Sequence, residues 1–340
     1  MNWKTPSAIM AIIIIVVVGA YYAGTRTTSS PLTIYAADAY TGETEFLASG
    51  FHNATHNPIP LITASGAFTL AQEIGSGEGV DVFISVALSA VTQTYLHNYA
   101  PGWAVAFAAD QMVVAYTNTS TQSVYAMYVL RNYTLAVENP NNTANWYGFF
   151  YALSSGDVRV GISNPNADPA GFRAWIVLEA AGYLYAHNTT FFTKTMISHQ
   201  ANYTADNAAQ LVAPLTTGQI NFLFIYKSAA IAKHLNYLEL PPQVNLGDPN
   251  YTNFYAEFNY TLTTGVVKGS PIYLYITVPL TSHNPSEAFA FVEYVVEHSD
   301  SLATFGLAPL RPAYLYNSTE PPTQIAQLIM QGYIEYVGSL

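Results

Sequence analysis

The residues best placed for chemistry lie in one stretch, Val160-Gly161-Ile162-Ser163-Asn164-Pro165-Asn166-Ala167-Asp168-Pro169-Ala170-Gly171-Phe172-Arg173. It reads as the end of a buried strand, a tight turn and the opening of a helix. Asp168 suits the N-cap, because its carboxylate accepts from amides that lack an intrahelical partner. Pro169 suits the first helical position, where an amide is dispensable. The remaining amides of such a helix start, at Ala170 and Gly171, point beyond the strand ends and make a site for an anion. The chemistry on offer is binding rather than bond breaking.

Other chemically capable residues carry less. His52 and His56 have the spacing of two metal ligands on a helix, but Asn53 and Asn57-Pro58 argue for a surface loop. The run Gly75-Ser76-Gly77-Glu78-Gly79 lacks the lysine and Ser/Thr of a phosphate loop and precedes a strand, so it reads as a connector. No Gly-x-Ser-x-Gly elbow is present. Asp157 and Glu179 are acidic, but nothing in the sequence brings them together. With no nucleophile and base in view, an enzyme is the least favoured class, and no cofactor is expected. Zero cysteines exclude disulfides, thiolate metal sites and a lipid-modified cysteine.

Positioning the turn at 160–173 requires alternating strands and helices. Leu32 to Ala36, Ile59 to Thr63 and Val80 to Val86 read as strands, with helices through Ile74 and around Ala90 to Tyr95 between them. This alternation predicts a parallel sheet covered on both faces. Trp103 to Ala109 and Met112 to Tyr116 are β-leaning runs around Asp110-Gln111. A second block follows, with helices at 123–131, 146–153, 172–186 and 207–215 and strands at 158–162 and 220–225. A strand at 271–279, a helix at 285–298 and a last helix near 323–337 complete the chain. The chain thus crosses between two α/β lobes near 108–116 and again near 272–280. The expected division is a first part of lobe I at 32–112, lobe II at 113–275 and a return to lobe I at 276–340. Strand ends and helix starts of both lobes then face one cleft.

The chain has 340 residues, 51% of them hydrophobic and only 9% charged, with a net charge of −11. That balance argues against nucleic acid, which needs clustered Lys and Arg. Lys4 precedes an apolar run from Ala8 to Ala23, so 1–24 reads as an export signal or a short membrane anchor and 25–31 as a polar linker. Asn-x-Ser/Thr sequons stand at Asn53, Asn118, Asn132, Asn141, Asn188, Asn202, Asn250, Asn259 and Asn317. They agree with an extracellular, glycosylated protein. Few charges, no cysteine and many Tyr and Asn suit an archaeal surface protein.

These residues resemble the solute-binding subunit of tungstate/molybdate ABC transporters, chiefly the archaeal type, over roughly 32–313. The anchors are Asp81-Val82-Phe83, the run from Ala109 to Tyr116, Asn145-Trp146-Tyr147, the stretch from Gly161 to Arg173, Tyr226-Lys227-Ser228-Ala229, Leu246-Gly247-Asp248-Pro249 and Lys268-Gly269-Ser270-Pro271-Ile272. The resemblance implies a type II periplasmic-binding-protein fold whose two lobes close by a hinge. It implies a monomer that holds a tetrahedral oxyanion by neutral donors and passes it to a membrane permease.

Carried over residue by residue, Asp168 matches a carboxylate that approaches the metal centre of the oxyanion, and no free metal ion is implied. Ala170, with Gly171 beside it, matches a backbone-amide donor, Tyr226 matches a hydroxyl donor, and the resemblance implies a further amide at Ala208. Three positions depart from the pattern. Ile225 replaces a glutamate. Ala37 and Asp38 stand where a glycine and a serine donor end the first loop. In the second loop, after Ser65-Gly66, Ala67 replaces a serine, with Ser65 as a possible substitute. Asp38 has three readings: it turns away and caps the helix that follows, it is protonated or joins Asp168 at the metal centre, or the cleft takes a different ligand. A sugar, an organic anion or a metal ion in the same fold, and a structural cell-surface role, are therefore the alternatives.

Overall fold

The computed structural model describes residues 30–340. The segment 1–24 and most of the 25–31 linker lie outside the described residues. Among the described residues fourteen strands form two mixed sheets and a hairpin. They are β1 (Thr33–Ala37), β2 (Leu61–Ser65), β3 (Val82–Ser85), β4 (Trp103–Asp110), β5 (Met112–Tyr116), β6 (Val160–Gly161), β7 (Asn202–Tyr203), β8 (Phe222–Tyr226), β9 (Asn236–Glu239), β10 (Asn259–Leu262), β11 (Gly265–Lys268), β12 (Ile272–Thr277), β13 (Ala308–Asn317) and β14 (Ile334–Gly338). The helices that matter most are α1 (Thr41–Thr55), α2 (Ala67–Gly75), α3 (Val124–Glu138), α4 (Thr143–Ser154), α5 (Pro169–Ala186), α6 (Phe191–Ser198), α7 (Lys227–Ala232) and α8 (Pro285–His298).

Lobe I is built on the seven-stranded sheet, in the order β14-β13-β4-β12-β3-β1-β2. Lobe II is built on the five-stranded sheet, in the order β7-β6-β8-β5-β9. The α/β two-lobe fold expected from the alternation is present. The sheets are mixed rather than parallel throughout. β1 runs parallel to β2 and β3, and β6 to β7 and β8, but β12 runs antiparallel to β3 and β4, and β5 to β8 and β9. The crossings explain this: a strand that arrives from the other lobe enters its new sheet from the opposite end. The first crossing is at Gln111, between β4 and β5. β12 belongs to the lobe I sheet from Ile272 onward, so the second crossing lies before it.

Local chemistry accounts for most element ends. Asp168 caps α5, accepting from the Ala170 amide at 3.0 Å, with Pro169 in the first turn. Ser123 and Asn142 cap α3 and α4 in the same way. The expected last helix over 323–337 is instead a helix at Thr323–Met330 followed by β14. Gly332, at φ +81°, ends the helix, and the β-branched Ile334 and Val337 fall in the strand. The 207–215 helix reduces to a 3-10 turn at Ala209–Leu211 and a short helix at Val212–Thr216.

Each lobe has its own apolar filling. In lobe I, Phe68, Phe83, Trp103, Phe107 and Phe291 are almost fully buried. In lobe II, Phe149, Phe150 and Phe192 pack in edge-on, tilted and stacked pairs with Tyr147 and Tyr185 between α4, α5 and α6. Such aromatic clusters bury large areas and fix their neighbours' orientation, which gives each half a rigid base for the loops it carries.

Candidate functional site

The loops that follow β1, β2 and β3 meet those that follow β6 and β8 at one interlobe junction. Four contacts define it. The Phe68 amide at the start of α2 donates to the Ala167 carbonyl at 3.2 Å. Ala209 N–H donates to Asp38 Oδ2 at 3.2 Å. Arg173 Nη2 donates to the Val86 carbonyl at 2.6 Å. The rings of Tyr40 and Tyr226 stack at 5.6 Å. Gly66 allows the approach: a β-carbon there would stand 2.4 Å from the Ala167 oxygen. Gly171 serves the turn itself, since its β-carbon would stand 2.2 Å from the Ser163 oxygen.

Asp38, Gly66, Ala67, Asp168, Ala170, Gly171, Ala208 and Tyr226 are therefore brought to one region and are buried. Ala37 is buried at the end of β1, and Ser65, paired with it in the sheet, is half-buried. The donor pattern differs from the expectation. Asp168 accepts the Ala170 amide on Oδ1 and the Ala208 amide on Oδ2, both at 3.0 Å, so these two amides already have an anion, and it is a side chain. Asp38 does not cap the turn that follows it. It reaches across to Ala209 instead, because that amide lies unpaired at the start of a 3-10 turn in the opposite lobe.

Two buried carboxylates thus sit within range of each other. Burial, and then the charge of Asp38, push Asp168 up to about 7, against the lowering effect of the Ala170 and Ala208 amides. Asp38 is also raised, chiefly by burial. Ser163, beside Asp168, has a buried hydroxyl with no well-formed hydrogen bond.

Arg173 is the residue that the sequence reading passed over as a site. It is 3% exposed, and its guanidinium donates to Tyr226 Oη at 2.7 Å and to Val86 O. It lies over the rings of Phe172 and Tyr226, 5.3 and 5.6 Å from their centroids. Among the described residues its hydrogen bonds go to neutral oxygens, and the ion pairs are Lys227–Glu239 and Arg311–Asp300. One signal in the sequence pointed to it. Arg173 is the only charge in the run from Pro169 to Leu178, and an all-apolar helix start buries whatever cation it carries.

Beyond Arg173 lies a cavity of about 440 Å³ between the lobes. Arg173 and Phe172 from α5, Lys268 from β11, and Tyr273, Tyr275 and Tyr316 from lobe I strands are among its walls. The ten residues expected to hold the ligand do not line this cavity.

A family model described as bacterial extracellular solute-binding protein matches residues 32–300. The chain belongs to this solute-binding protein family. It is similar to an uncharacterised solute-binding protein of Saccharolobus solfataricus, 41% identical over 323 residues, covering 92% of this chain and 79% of the relative. Among solved structures it resembles the periplasmic molybdate-binding protein of Azotobacter vinelandii, with TM-score 0.55 and 16% identity over 81% of this chain and 96% of that one. It also resembles the sulfate-binding protein SubI of Mycobacterium tuberculosis, with TM-score 0.55 and 14% identity over 91% and 94% of the two chains. At these identities the likeness to the two structures is one of fold. Solute-binding proteins are the extracellular, non-enzymatic capture components of ABC-type transporters.

The hinge of this solute-binding protein carries a second acidic pair. Asp110, at the first crossing, accepts from Tyr40 Oη at 3.1 Å, Ser228 Oγ at 2.5 Å and the Gln111 amide at 2.7 Å. It thereby ties the crossing to the β1 loop and to α7. Burial raises it to about 6. Glu43, in the first turn of α1, is 1% exposed, and neither carboxylate oxygen has a hydrogen-bond partner. Burial, then the charge of Asp110, raise it to about 7. A carboxyl group so placed is partly in its neutral form near neutral pH.

The histidine pair sits differently from the expectation. His52 is in the last turn of α1, which continues through Asn53 to Thr55, and His56 is its left-handed cap. Among the described residues no group of three or more His, Cys, Asp or Glu is placed to hold a metal ion. No helix among them is long and apolar enough to cross a membrane. Of the sequon asparagines, Asn53, Asn118, Asn141, Asn188, Asn250 and Asn259 are exposed, while Asn132, Asn202 and Asn317 are half-buried.

Proposed function

We propose that this solute-binding protein captures a tetrahedral oxyanion between its lobes and delivers it to an ABC permease. Tungstate or molybdate is the solute favoured by the sequence resemblance. One observation carries this reading: Arg173 is a buried guanidinium at the lobe junction whose partners are neutral oxygens. A buried cation without a counter-charge costs several kcal/mol. An anion that closes onto it offsets that cost. Tyr226 Oη accepts from Arg173, which leaves the phenolic proton for a ligand oxygen.

The carboxylates fit if they hold protons. Asp168, raised to about 7, is partly protonated at neutral pH, which reduces its repulsion of an anion at the junction. Closure of the lobes around the anion excludes water and presents one compact shape to the permease. The ligands after which the two structural neighbours are named, molybdate and sulfate, are both tetrahedral oxyanions, which supports the same class. The apolar run from Ala8 to Ala23 serves export or tethering, and the exposed sequons carry glycans.

The test is isothermal titration of tungstate, molybdate and sulfate into the wild-type protein and Arg173→Gln. Tight binding of the first two, weak sulfate binding, and a loss of at least about thirtyfold in the variant support the reading. A folded wild-type protein that binds none of the three overturns it.

A further inference from the structure

The cavity beyond Arg173 has a composition that composition alone does not lead one to expect. The chain carries 10 Lys and Arg against 21 Asp and Glu. Yet both charged residues that line this cavity, Arg173 and Lys268, are cationic, and no carboxylate lines it. Neither cation forms an ion pair among the described residues. Arg173 is buried on α5 of lobe II, and Lys268 is exposed at the end of β11.

The third wall is aromatic and comes from lobe I. Tyr273 and Tyr275 alternate on β12, so both project from the same face of the strand. Tyr316 on β13 packs edge-on against Tyr275 with centroids 5.7 Å apart. The hydroxyls of Tyr273, Tyr275 and Tyr316 make no hydrogen bond to the protein among the described residues. Tyr275 is close enough to Arg173 to feel its charge. The volume, about 440 Å³, lies in the range of sites for organic ligands, roughly 300–1,000 Å³. Four oxygens around one central atom would occupy a small part of it.

We infer that this cavity binds the carbon body of an organic oxyanion, a phosphate or sulfate ester, whose charged head is held by Arg173 and Lys268 and whose body lies against Tyr273, Tyr275 and Tyr316. The inference rests on the reading that an oxyanion binds at Arg173, and it names a larger member of that class. Free tetrahedral anions then occupy the head position only. Each ester gains the contact of its body with the tyrosine wall.

The experiment is titration of inorganic phosphate, phenyl phosphate and molybdate into the purified protein, repeated with Tyr316→Ser and Lys268→Gln. Both positions are partly or fully exposed, so folding is checked by thermal midpoint and circular dichroism. The expected result is phenyl phosphate at least about tenfold tighter than inorganic phosphate. Tyr316→Ser is expected to remove most of that margin while leaving inorganic binding within about twofold. Lys268→Gln is expected to weaken both. If molybdate or inorganic phosphate binds and phenyl phosphate is no tighter, the extended site is wrong and the oxyanion reading stands. If the margin survives both substitutions, the body lies elsewhere and the assignment of this cavity falls. If none of the three binds to folded protein, the oxyanion reading fails and this inference with it.

Discussion

Asp38 and Asp168, one from each lobe, hold consecutive backbone amides of a single segment. Ala209 N–H donates to Asp38 Oδ2 at 3.2 Å, and Ala208 N–H donates to Asp168 Oδ2 at 3.0 Å. Asp168 and the two amides belong to lobe II, so Asp38 is the visitor. Its approach carries a negative charge toward a buried carboxylate, and that charge is one cause of the raised pKa of Asp168. Closure of the lobes is therefore expected to raise the proton affinity of Asp168.

Asp38→Asn removes the incoming charge and keeps an oxygen for Ala209. Oxyanion affinity at pH 8 is expected to rise by about tenfold or more, since one unit of pKa shift corresponds to about 1.4 kcal/mol. At pH 5, where Asp168 is already protonated, the gain should shrink to about twofold. Titration calorimetry at the two pH values measures both. An equal effect at both values would mean that Asp38 acts through shape alone.

The stability of the protein should fall as the solution becomes less acidic. Asp168 and Glu43 are raised to about 7 and Asp110 to about 6, from ordinary values of 3.8, 4.5 and 3.8. In all three the folded state binds protons that the unfolded state has released. Their contribution is complete below about pH 4 and is lost as pH rises through 6 to 7. Denaturant unfolding between pH 4.5 and 8.5 should show a loss of a few kcal/mol that levels off above pH 8. Glu43→Gln should flatten the curve, because its carboxylate has no hydrogen-bond partner to lose. Stability that climbs from pH 5 to pH 8 would contradict these placements.

The turn from Asn164 to Arg173 was legible because everything in it is local. An Asp-Pro pair fixes a helix start, and a glycine two residues later allows close packing on the preceding turn. The alternation of strands and helices likewise predicted two α/β lobes. The antiparallel crossings were not visible, because strand direction depends on where the chain re-enters a sheet. Asp38 was recognised as out of place in its loop, but its partner is 171 residues away in sequence, and local rules favoured a cap. The cavity was missed for the same reason: Arg173, Lys268 and Tyr316 share no sequence pattern and meet only when β11 and β13 are in place.

Gly66 sets how closely the lobes approach. A β-carbon there would stand 2.4 Å from the Ala167 backbone oxygen, which cannot swing aside as a flexible side chain would. Gly66→Ala should leave each lobe folded, since the clash is between lobes, and should hold the junction slightly open. Oxyanion affinity is expected to fall by about ten- to hundredfold, with the Phe68–Ala167 hydrogen bond weakened. Small-angle scattering with and without ligand reads the closure directly. A variant that compacts on ligand addition as fully as the wild type would refute this role.

Tyr226 and Tyr40 separate binding from hinge stability. Their rings stack, but their hydroxyls serve different partners: Tyr226 Oη accepts from Arg173 at 2.7 Å, and Tyr40 Oη donates to Asp110 at 3.1 Å. Removal of the Tyr226 hydroxyl leaves the guanidinium with Val86 O as its remaining hydrogen-bond partner and deletes the phenolic proton proposed for a ligand oxygen. Tyr226→Phe should therefore weaken oxyanion binding by about ten- to hundredfold, the size of one or two hydrogen bonds to a charged group. Tyr40→Phe keeps the stack and loses only a bond to a carboxyl at the hinge. It should lower stability by about 1 kcal/mol and change affinity by less than about threefold. The contrast matters more than either value, because both substitutions remove one oxygen from the same stacked pair. Equal losses of affinity in the two variants would place the binding effect in the stack and not in the Arg173–Tyr226 contact.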